Sequence, residues 1–236
     1  MSERPIPLDG PEVRGVLAGT KTQFRRVVKL VGADVIEERV VGSGEATSEE
    51  PWPFSATWSH GDDGSPWYAC PFGAPGDRLW VRETWAAHWM YDDVPPTEAR
   101  SGREDLRDTD NLWFSAGALE DAIGTTTSGR ERCPASLRGK WRPSIHMPRW
   151  ASRITLEVTG VRVERLQAIS ATDAISEGIE RDGRLWKGYR PERGPAWRQH
   201  MSPVRSFESL WESINGEDSW ALNPWVWVVE FKRVTP

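Results

Sequence analysis

The sequence predicts an α+β fold, in which a small β-barrel carries flanking helices and long loop insertions. Residues 154–159 alternate apolar and polar side chains, as a half-buried strand does. Residues 225–231 are apolar on both faces and rich in β-branched side chains, which is typical of a buried strand. Polar stretches without a sustained period separate the periodic segments, at about 32–66, 92–145 and 181–203. We therefore expect a single domain over residues 1–236 that carries these three insertions.

Capping residues and apolar spacing predict three helices. Asp9 precedes Pro11 and an apolar face, and Gly19 ends this first short helix. Ser170 caps a second helix over residues 172–177. The third helix has the clearest pattern, because its apolar side chains recur at helical spacing, at Phe207, Leu210, Trp211 and Ile214. Asn215-Gly216 ends this helix. We expect these helices to lie beside the barrel.

A further strand is predicted over residues 79–85, and it contains two charged side chains. Glu83 shares a face with apolar residues, and a buried carboxylate needs a partner. Arg82 lies on the opposite face of the same strand. A structural ion pair is the favoured interpretation for both residues, and contact with a ligand is the alternative.

Composition excludes several classes of protein. Hydrophobic residues make up 38% of the 236 residues and charged residues 28%, and no apolar run is long enough to span a membrane. The first ten residues lack the apolar segment of a secretory signal, so a cytoplasmic location is expected. The two cysteines and four histidines lack the spacing of metal ligands, so neither a metal nor a cofactor is expected.

Basic residues cluster in two places although the net charge is −5. Lys21, Arg25 and Arg26 follow the first helix, at an end where cations also suit the helix dipole. The second cluster is an extended arm over residues 138–153, in which prolines exclude helix and cations alternate with tryptophans. Nucleic-acid binding by such a chain is expected to be local and salt-sensitive. The same arginines could instead bind the protein's own acidic loops.

Four segments, in this order along the chain, resemble a known family. They are Gly19-Thr20-Lys21-Thr22 after the first helix, and residues 76–83, 154–159 and 228–231 in strands. Together they resemble the ASCH domain family of the PUA-like superfold, in particular its phage and prophage members. The resemblance implies a PUA-like β-barrel with a cleft that accepts RNA or a nucleoside. It also implies, for a phage-encoded chain, the cytoplasm of a bacterial host.

The resemblance further implies a set of catalytic residues. One branch of the family hydrolyses N4-acetylcytidine with a Lys in the G-x-K-T loop, a Thr three residues later and a Glu on the strand that reads x-E-V-T. Lys21 and Glu157 occupy the matching positions. Phe24 stands where the Thr is expected, and Thr22 is the hydroxyl nearer the Lys. Lys21, Glu157 and Thr22 are therefore the candidate catalytic residues.

These observations predict binding of RNA, DNA or a modified nucleoside in a cationic, Trp-lined cleft, with hydrolysis of an N-acylated cytosine-type base left open. A non-enzymatic phage-type structural or inhibitor module is the other interpretation. We expect Lys21 and Glu157 to share a pocket, and a surface-loop Lys21 to be dispensable for folding. The predicted ligand-binding residues are Arg25, Arg26, Trp80, Arg82, Glu83, Trp85, Trp141, Arg142 and Arg149.

Overall fold

The computed structural model describes residues 2–28, 70–95, 112–116 and 135–234. In chain order its strands are β1 (Glu3–Pro7), β2 (Gln23–Val27), β3 (Arg78–Arg82), β4 (Trp85–Ala87), β5 (Leu112–Phe114), β6 (Thr155–Arg165), β7 (Arg181–Asp182), β8 (Leu185–Lys187), β9 (Gln199–His200) and β10 (Trp225–Val234). The α-helices are α1 (Gly10–Ala18), α2 (Ala171–Ser176) and α3 (Pro203–Asn215). The predicted α+β class is confirmed by this mixture of elements. No helix within these ranges is long and apolar enough to cross a membrane.

A five-stranded sheet with the order β1-β3-β6-β10-β2 forms the centre of the molecule. β1 pairs with β3 in parallel, and the other neighbours are antiparallel. β1 and β2 are the edges of this sheet and do not pair with each other in the part of the chain that the structure describes. Closure into a barrel therefore stays a prediction.

The helix boundaries follow the predicted capping signals. The carboxylate of Asp9 accepts a hydrogen bond from the backbone N–H of Glu12, and the side chain of Glu12 accepts one from the N–H of Asp9. This capping box satisfies two donors that a helix start leaves unpaired. Gly19 ends α1 with φ of 72°, a left-handed conformation that a side chain would strain. The Ser170 cap of α2 is confirmed in the same way.

β10 is apolar on both faces because two separate cores meet on it. Val229 and Phe231 pack with α1 and the inner residues of β3 and β6. Val226 and Val228, which point the other way, pack with α2 and α3. The prediction of a doubly buried strand is thus confirmed. The helix α1 packs on one face of β10, and α2 and α3 pack on the other face.

Several predicted boundaries differ from the structure. The segment after α1, for which the sequence predicts no strand, forms β2 on the edge of the sheet. The strand predicted over residues 79–85 breaks at Glu83. β3 belongs to the main sheet, whereas β4 pairs with β5, which lies inside the predicted second insertion, and forms a bridge with Arg142. The third insertion contains the small sheet β7-β8-β9, whose strands of two or three residues are too short to show a period. The first insertion, at about 32–66, lies outside the described residues.

Candidate functional site

A cleft of about 790 Å³ opens between α1 and β2 on one side and the β8 region and α3 on the other. Its volume is within the range of pockets that hold small organic ligands, about 300–1,000 Å³. Five cationic residues line it, namely Arg14, Lys21, Arg25, Arg26 and Lys187. Four acidic residues line it as well, namely Asp9, Glu12, Glu177 and Glu180. The cleft is therefore dense in charge but nearly neutral overall.

Lys21 lies in the wall of this cleft and is 6% exposed. Its Nζ atom donates to the carbonyl oxygen of Glu177 at 2.9 Å and to the Oε2 atom of Glu177 at 3.2 Å. The Oε1 atom of Glu12 lies 3.7 Å away, which is an ion pair but not a hydrogen bond. An ammonium has three donors, so one N–H of Lys21 is left for a ligand. The predicted surface position of this lysine is wrong, because the chain turns from α1 into β2 beneath α2.

Glu177 binds two cations at once. Its Oε2 atom faces Lys21, and its Oε1 atom accepts a hydrogen bond from Arg25 at 2.8 Å. Arg25 is only 2% exposed, and its other terminal nitrogen contacts Glu164 at 2.5 Å. Asp173 lies 3.8 Å from that nitrogen. The predicted phosphate ligand Arg25 is thus held by carboxylates of the protein itself.

Two carboxylates of this network, Glu12 and Asp173, have a pKa below the usual value. Burial raises the pKa of Glu12, but the charges of Arg26 and Lys21 outweigh it and hold that pKa below its usual value. Burial also raises the pKa of Asp173, while a hydrogen bond from Ser170 and the charge of Arg162 lower it to below the usual value. The cleft floor is therefore a fixed array of opposite charges, which costs little reorganisation when a polar ligand enters.

Aromatic side chains form the opposite wall. Tyr189, Phe207 and Trp211 all line the cleft, and the guanidinium of Arg25 lies 5.8 Å from the ring centroid of Phe207. The hydroxyl of Tyr189 accepts a hydrogen bond from the backbone N–H of Glu180 at 2.9 Å. Burial raises the pKa of Tyr189 to about 12, so this phenol is neutral at physiological pH. Phe207 and Trp211 are 3% and 6% exposed and pack in the core beside β10, so Tyr189 is the accessible ring on which a planar ligand could stack.

The structure does not bring Lys21 and Glu157 together. β10 lies between β2 and β6, so Glu157 is about 10 Å across the sheet from β2. Lys232, on the intervening β10, binds the carboxylate of Glu157 at 2.8 Å. Glu157 does not line the cleft, and the predicted shared pocket is therefore corrected to one that pairs Lys21 with Glu177.

Neither of the positions considered for a catalytic hydroxyl, 22 and 24, lines the cleft. Thr22 is exposed and does not line the cleft, and its backbone binds Ser176 and Phe231. Phe24 is completely buried, with its ring 5.1 Å from that of Phe72 and 5.9 Å from that of Phe231. The position that the family resemblance assigns to a Thr therefore serves the hydrophobic core.

The predicted stacking residues Trp80 and Trp85 are both buried and do not line the cleft. Trp85 packs in a small core with Met147, and Trp80 lies under the guanidinium of Arg82 at 4.6 Å. Glu83 forms an ion pair, as the structural interpretation predicts, and its partner is Arg153 at 2.9 and 3.0 Å. Arg82 has no carboxylate partner in the ranges that the structure describes. None of these four residues lies at the cleft.

The remaining predicted ligand residues are spread over two regions. Arg26 lines the cleft and contacts Glu12 at 3.2 Å. Arg142 is buried and donates to the carbonyl oxygen of Tyr91 at 2.6 Å, so it holds the arm in place. Arg149 pairs with Glu3 at 3.0 Å on the surface. Trp141 is 41% exposed and lies away from the cleft lining.

Glu177 is the site residue that the sequence interpretation missed. It is the C-cap of α2, where the helix dipole disfavours a carboxylate. An acidic residue in that position is the only local signal at Glu177, and it does not identify a partner. Lys21 is that partner and also pairs with Glu177 as an isolated β-bridge.

No protein-family model, curated protein or solved structure matches this chain. Within the described ranges, no group of three or more His, Cys, Asp or Glu side chains is arranged to hold a metal ion. The feature that indicates a function is therefore the cleft itself, which has a buried Lys–Glu pair on one wall and aromatic rings on the other.

Proposed function

We propose that the cleft binds a nucleoside, with a modified base as the favoured ligand. The observation that carries the proposal is the position of Lys21, whose third N–H is unused, across the cleft from Tyr189 and Trp211. A base offers a π-face for the aromatic wall and carbonyl or acyl oxygens for the ammonium. The near-neutral lining suits a nucleoside better than a ligand rich in phosphate, because most of the cations already bind carboxylates.

Hydrolysis of an N-acylated base is the second candidate, and a different pair of residues now supports it. Lys21 and Glu177 are 3.2 Å apart in the cleft wall, within reach for proton transfer. A nucleophilic amine would require Lys21 to give up a proton and leave its three oxygen neighbours. Binding without turnover needs no such change, so we propose binding as the main activity.

The assignment to the ASCH domain family, a PUA-like barrel and a phage-type cytoplasmic protein belongs to the same proposal. What supports it is that the G-x-K-T loop leads into β2 and that β3, β6 and β10 lie side by side in one sheet. A structural or inhibitor module would need no ligand in the cleft. The experiment below separates it from a binder.

Titration calorimetry with cytidine, N4-acetylcytidine and adenosine tests the proposal. Ile214 lines the cleft and is 61% exposed, so Ile214→Glu should obstruct the cleft without disturbing the buried pair. Leu222→Glu is the matched control, since Leu222 is 78% exposed and lies outside the lining. We expect Ile214→Glu, but not Leu222→Glu, to weaken nucleoside binding. Absence of heat with all three nucleosides would favour the structural module.

Release of cytidine from N4-acetylcytidine, followed by chromatography, tests the second candidate. If hydrolysis occurs, Glu177→Gln should stop it at a temperature at which circular dichroism shows that the variant is folded. Binding that persists without any release of cytidine would leave the protein as a binder.

A further inference from the structure

A second cationic surface differs from the cleft in that its charges are not neutralised. We define the arm surface as Arg82, Trp89, Arg138, Lys140 and Trp141. Within the described part of the chain, none of its three cations lies within ion-pair distance of a carboxylate, whereas Lys21, Arg25 and Arg26 in the cleft all do. Trp89 is 55% exposed and Trp141 is 41% exposed. Exposed indoles beside unpaired cations favour a ligand that carries both negative charge and planar rings.

Backbone pairing places the arm beside β4 and the turn that follows it. Arg142 exchanges backbone hydrogen bonds with Trp85, and Arg138 forms a β-bridge with His88. The arm therefore runs antiparallel to β4. The guanidinium of Arg138 lies 4.7 Å from the ring centroid of Trp141.

The turn after β4 completes the arm surface. The imidazole of His88 lies 5.5 Å from the ring of Trp89. The backbone N–H of Lys140 donates to both oxygens of Asp92, at 2.9 and 3.1 Å, so Lys140 is fixed beside the same turn. Backbone contacts thus fix where the chain carries Trp89, Arg138, Lys140 and Trp141.

The arm surface continues into the cleft. Thr84 and Ser144, one on each of the two paired segments, are part of the cleft lining. Trp141 is three residues from Ser144, a separation of at most about 11 Å. Arg82 bridges the two regions, since its side chain donates to the carbonyl oxygen of Ile145 and its own carbonyl oxygen accepts from Leu8 in the cleft wall. A ligand in the cleft could therefore extend over the arm surface without crossing the core.

We propose that the arm surface binds the flanking nucleotides of a single-stranded nucleic acid whose base occupies the cleft. The proposal rests on the proposed function and narrows its ligand from a free nucleoside to a nucleoside within a strand. Arg138 and Lys140 contact phosphates, and a neighbouring base stacks on Trp141 or Trp89. This division explains why the cleft itself is nearly neutral: the phosphates lie outside it.

Fluorescence anisotropy of a labelled oligouridylate of about 12 nucleotides, measured over a series of salt concentrations, tests the proposal. Arg138→Gln/Lys140→Gln removes two phosphate contacts, which should reduce the slope of log affinity against log salt by about 1.4. Arg184→Gln/Arg198→Gln is the matched control, because both arginines are exposed and lie outside the cleft lining, and the change in net charge is the same. The control should leave the slope unchanged.

Trp141→Ala separates stacking from charge. We expect it to weaken oligouridylate binding by about 5- to 150-fold while the salt slope stays the same. Trp141→Phe, which keeps a ring, should restore part of the loss. Equal salt slopes for the arm and control double variants would overturn the proposal. So would a polyglutamate peptide that binds as tightly as the oligonucleotide, since this result would assign the surface to an acidic protein segment.

The Ile214→Glu variant shows whether the proposal for the arm surface or the proposal for the cleft is wrong. Nucleoside binding that depends on Ile214, together with oligonucleotide binding that ignores Arg138 and Lys140, refutes the arm surface alone. Oligonucleotide binding that depends on Arg138 and Lys140 but ignores Ile214→Glu supports the arm surface as a strand-binding site and refutes the cleft.

Discussion

The ammonium of Lys21 lies 3.2 Å from the carboxylate of Glu177, although the two residues are 156 positions apart in the chain. The same carboxylate binds Arg25 at 2.8 Å. Lys21 follows the end of α1, Arg25 lies in the edge strand β2, and Glu177 lies at the end of α2, so their contacts join these three elements. All three side chains are buried. This junction is at once the chemical centre of the cleft and a structural contact between distant parts of the fold.

Glu177→Gln should therefore destabilise the protein strongly. Removal of one partner from a buried ion pair leaves the other charge uncompensated and typically costs about 3–5 kcal/mol. The free energy of unfolding from urea titration measures the loss. Glu180→Gln is the control, since Glu180 pairs with the half-exposed Lys187 and should cost less than about 1 kcal/mol. Similar small losses for both variants would show that Glu177 is not a structural contact.

Glu157→Gln should have little effect on either stability or ligand binding. Its partner Lys232 is 62% exposed, and such surface pairs contribute about 0–1 kcal/mol. Urea titration and nucleoside calorimetry check the two expectations. If Glu157→Gln reduced nucleoside affinity as much as Lys21→Gln does, Glu157 would be the partner of Lys21 in ligand binding, as the family resemblance implies.

The stability of the fold should fall in acid because of Asp173 and Glu12. Both carboxylates have a folded-state pKa below the usual value of about 4. As pH falls, the unfolded chain therefore takes up protons first, and the free energy of unfolding decreases from about pH 5 down through the folded-state pKa values. Urea midpoints measured from pH 7 to pH 3 should show this decline. Asp173→Asn should make the decline shallower, and an unchanged pH dependence would contradict the contribution of Asp173.

Gly188→Ala should disrupt the wall of the cleft. A Cβ atom at this position would lie 1.8 Å from the carbonyl oxygen of Trp197, a backbone atom that cannot swing away. Gly188 stands between the lining residues Lys187 and Tyr189, so the strand must shift, and both stability and nucleoside affinity should fall. Gly10→Ala is the control for stability alone, because its Cβ would lie 3.4 Å from the end of a flexible arginine, although Gly10 also lines the cleft. Thermal unfolding and calorimetry of the two variants compare these outcomes.

The elements that the sequence predicted correctly are those with local causes. Asp9 and Gly19 bracket α1 through hydrogen bonds and backbone geometry that involve a few neighbouring residues. The composition of β10 alone predicts a doubly buried strand, because apolar side chains occupy both of its faces. In these cases the physical cause lies within the segment.

The partner of Lys21 could not be predicted in this way. Which carboxylate meets it depends on how α2 docks beside β2, and that contact joins residues 156 positions apart. The family resemblance favoured Glu157 by position, but in this chain Lys232 binds that carboxylate. Similarly, Trp85 was a reasonable stacking residue by type, and only its packing against Met147 and Trp150 shows that it belongs to a core.

Phe24→Thr tests whether the cleft could acquire the hydroxyl that the amidase branch of the resembled family uses. Phe24 has no exposed surface, and its ring packs against Phe72 and Phe231, so the substitution should cost about 3–5 kcal/mol through lost burial and a cavity. The new hydroxyl would lie in the core and not beside Lys21, because Phe24 is not part of the cleft lining. We therefore expect urea titration to show a large loss of stability and chromatography to show no gain in cytidine release from N4-acetylcytidine. Phe24→Leu, which keeps the site apolar, should lose less stability. Turnover that appears in Phe24→Thr but not in Phe24→Leu would show that position 24 does reach the cleft.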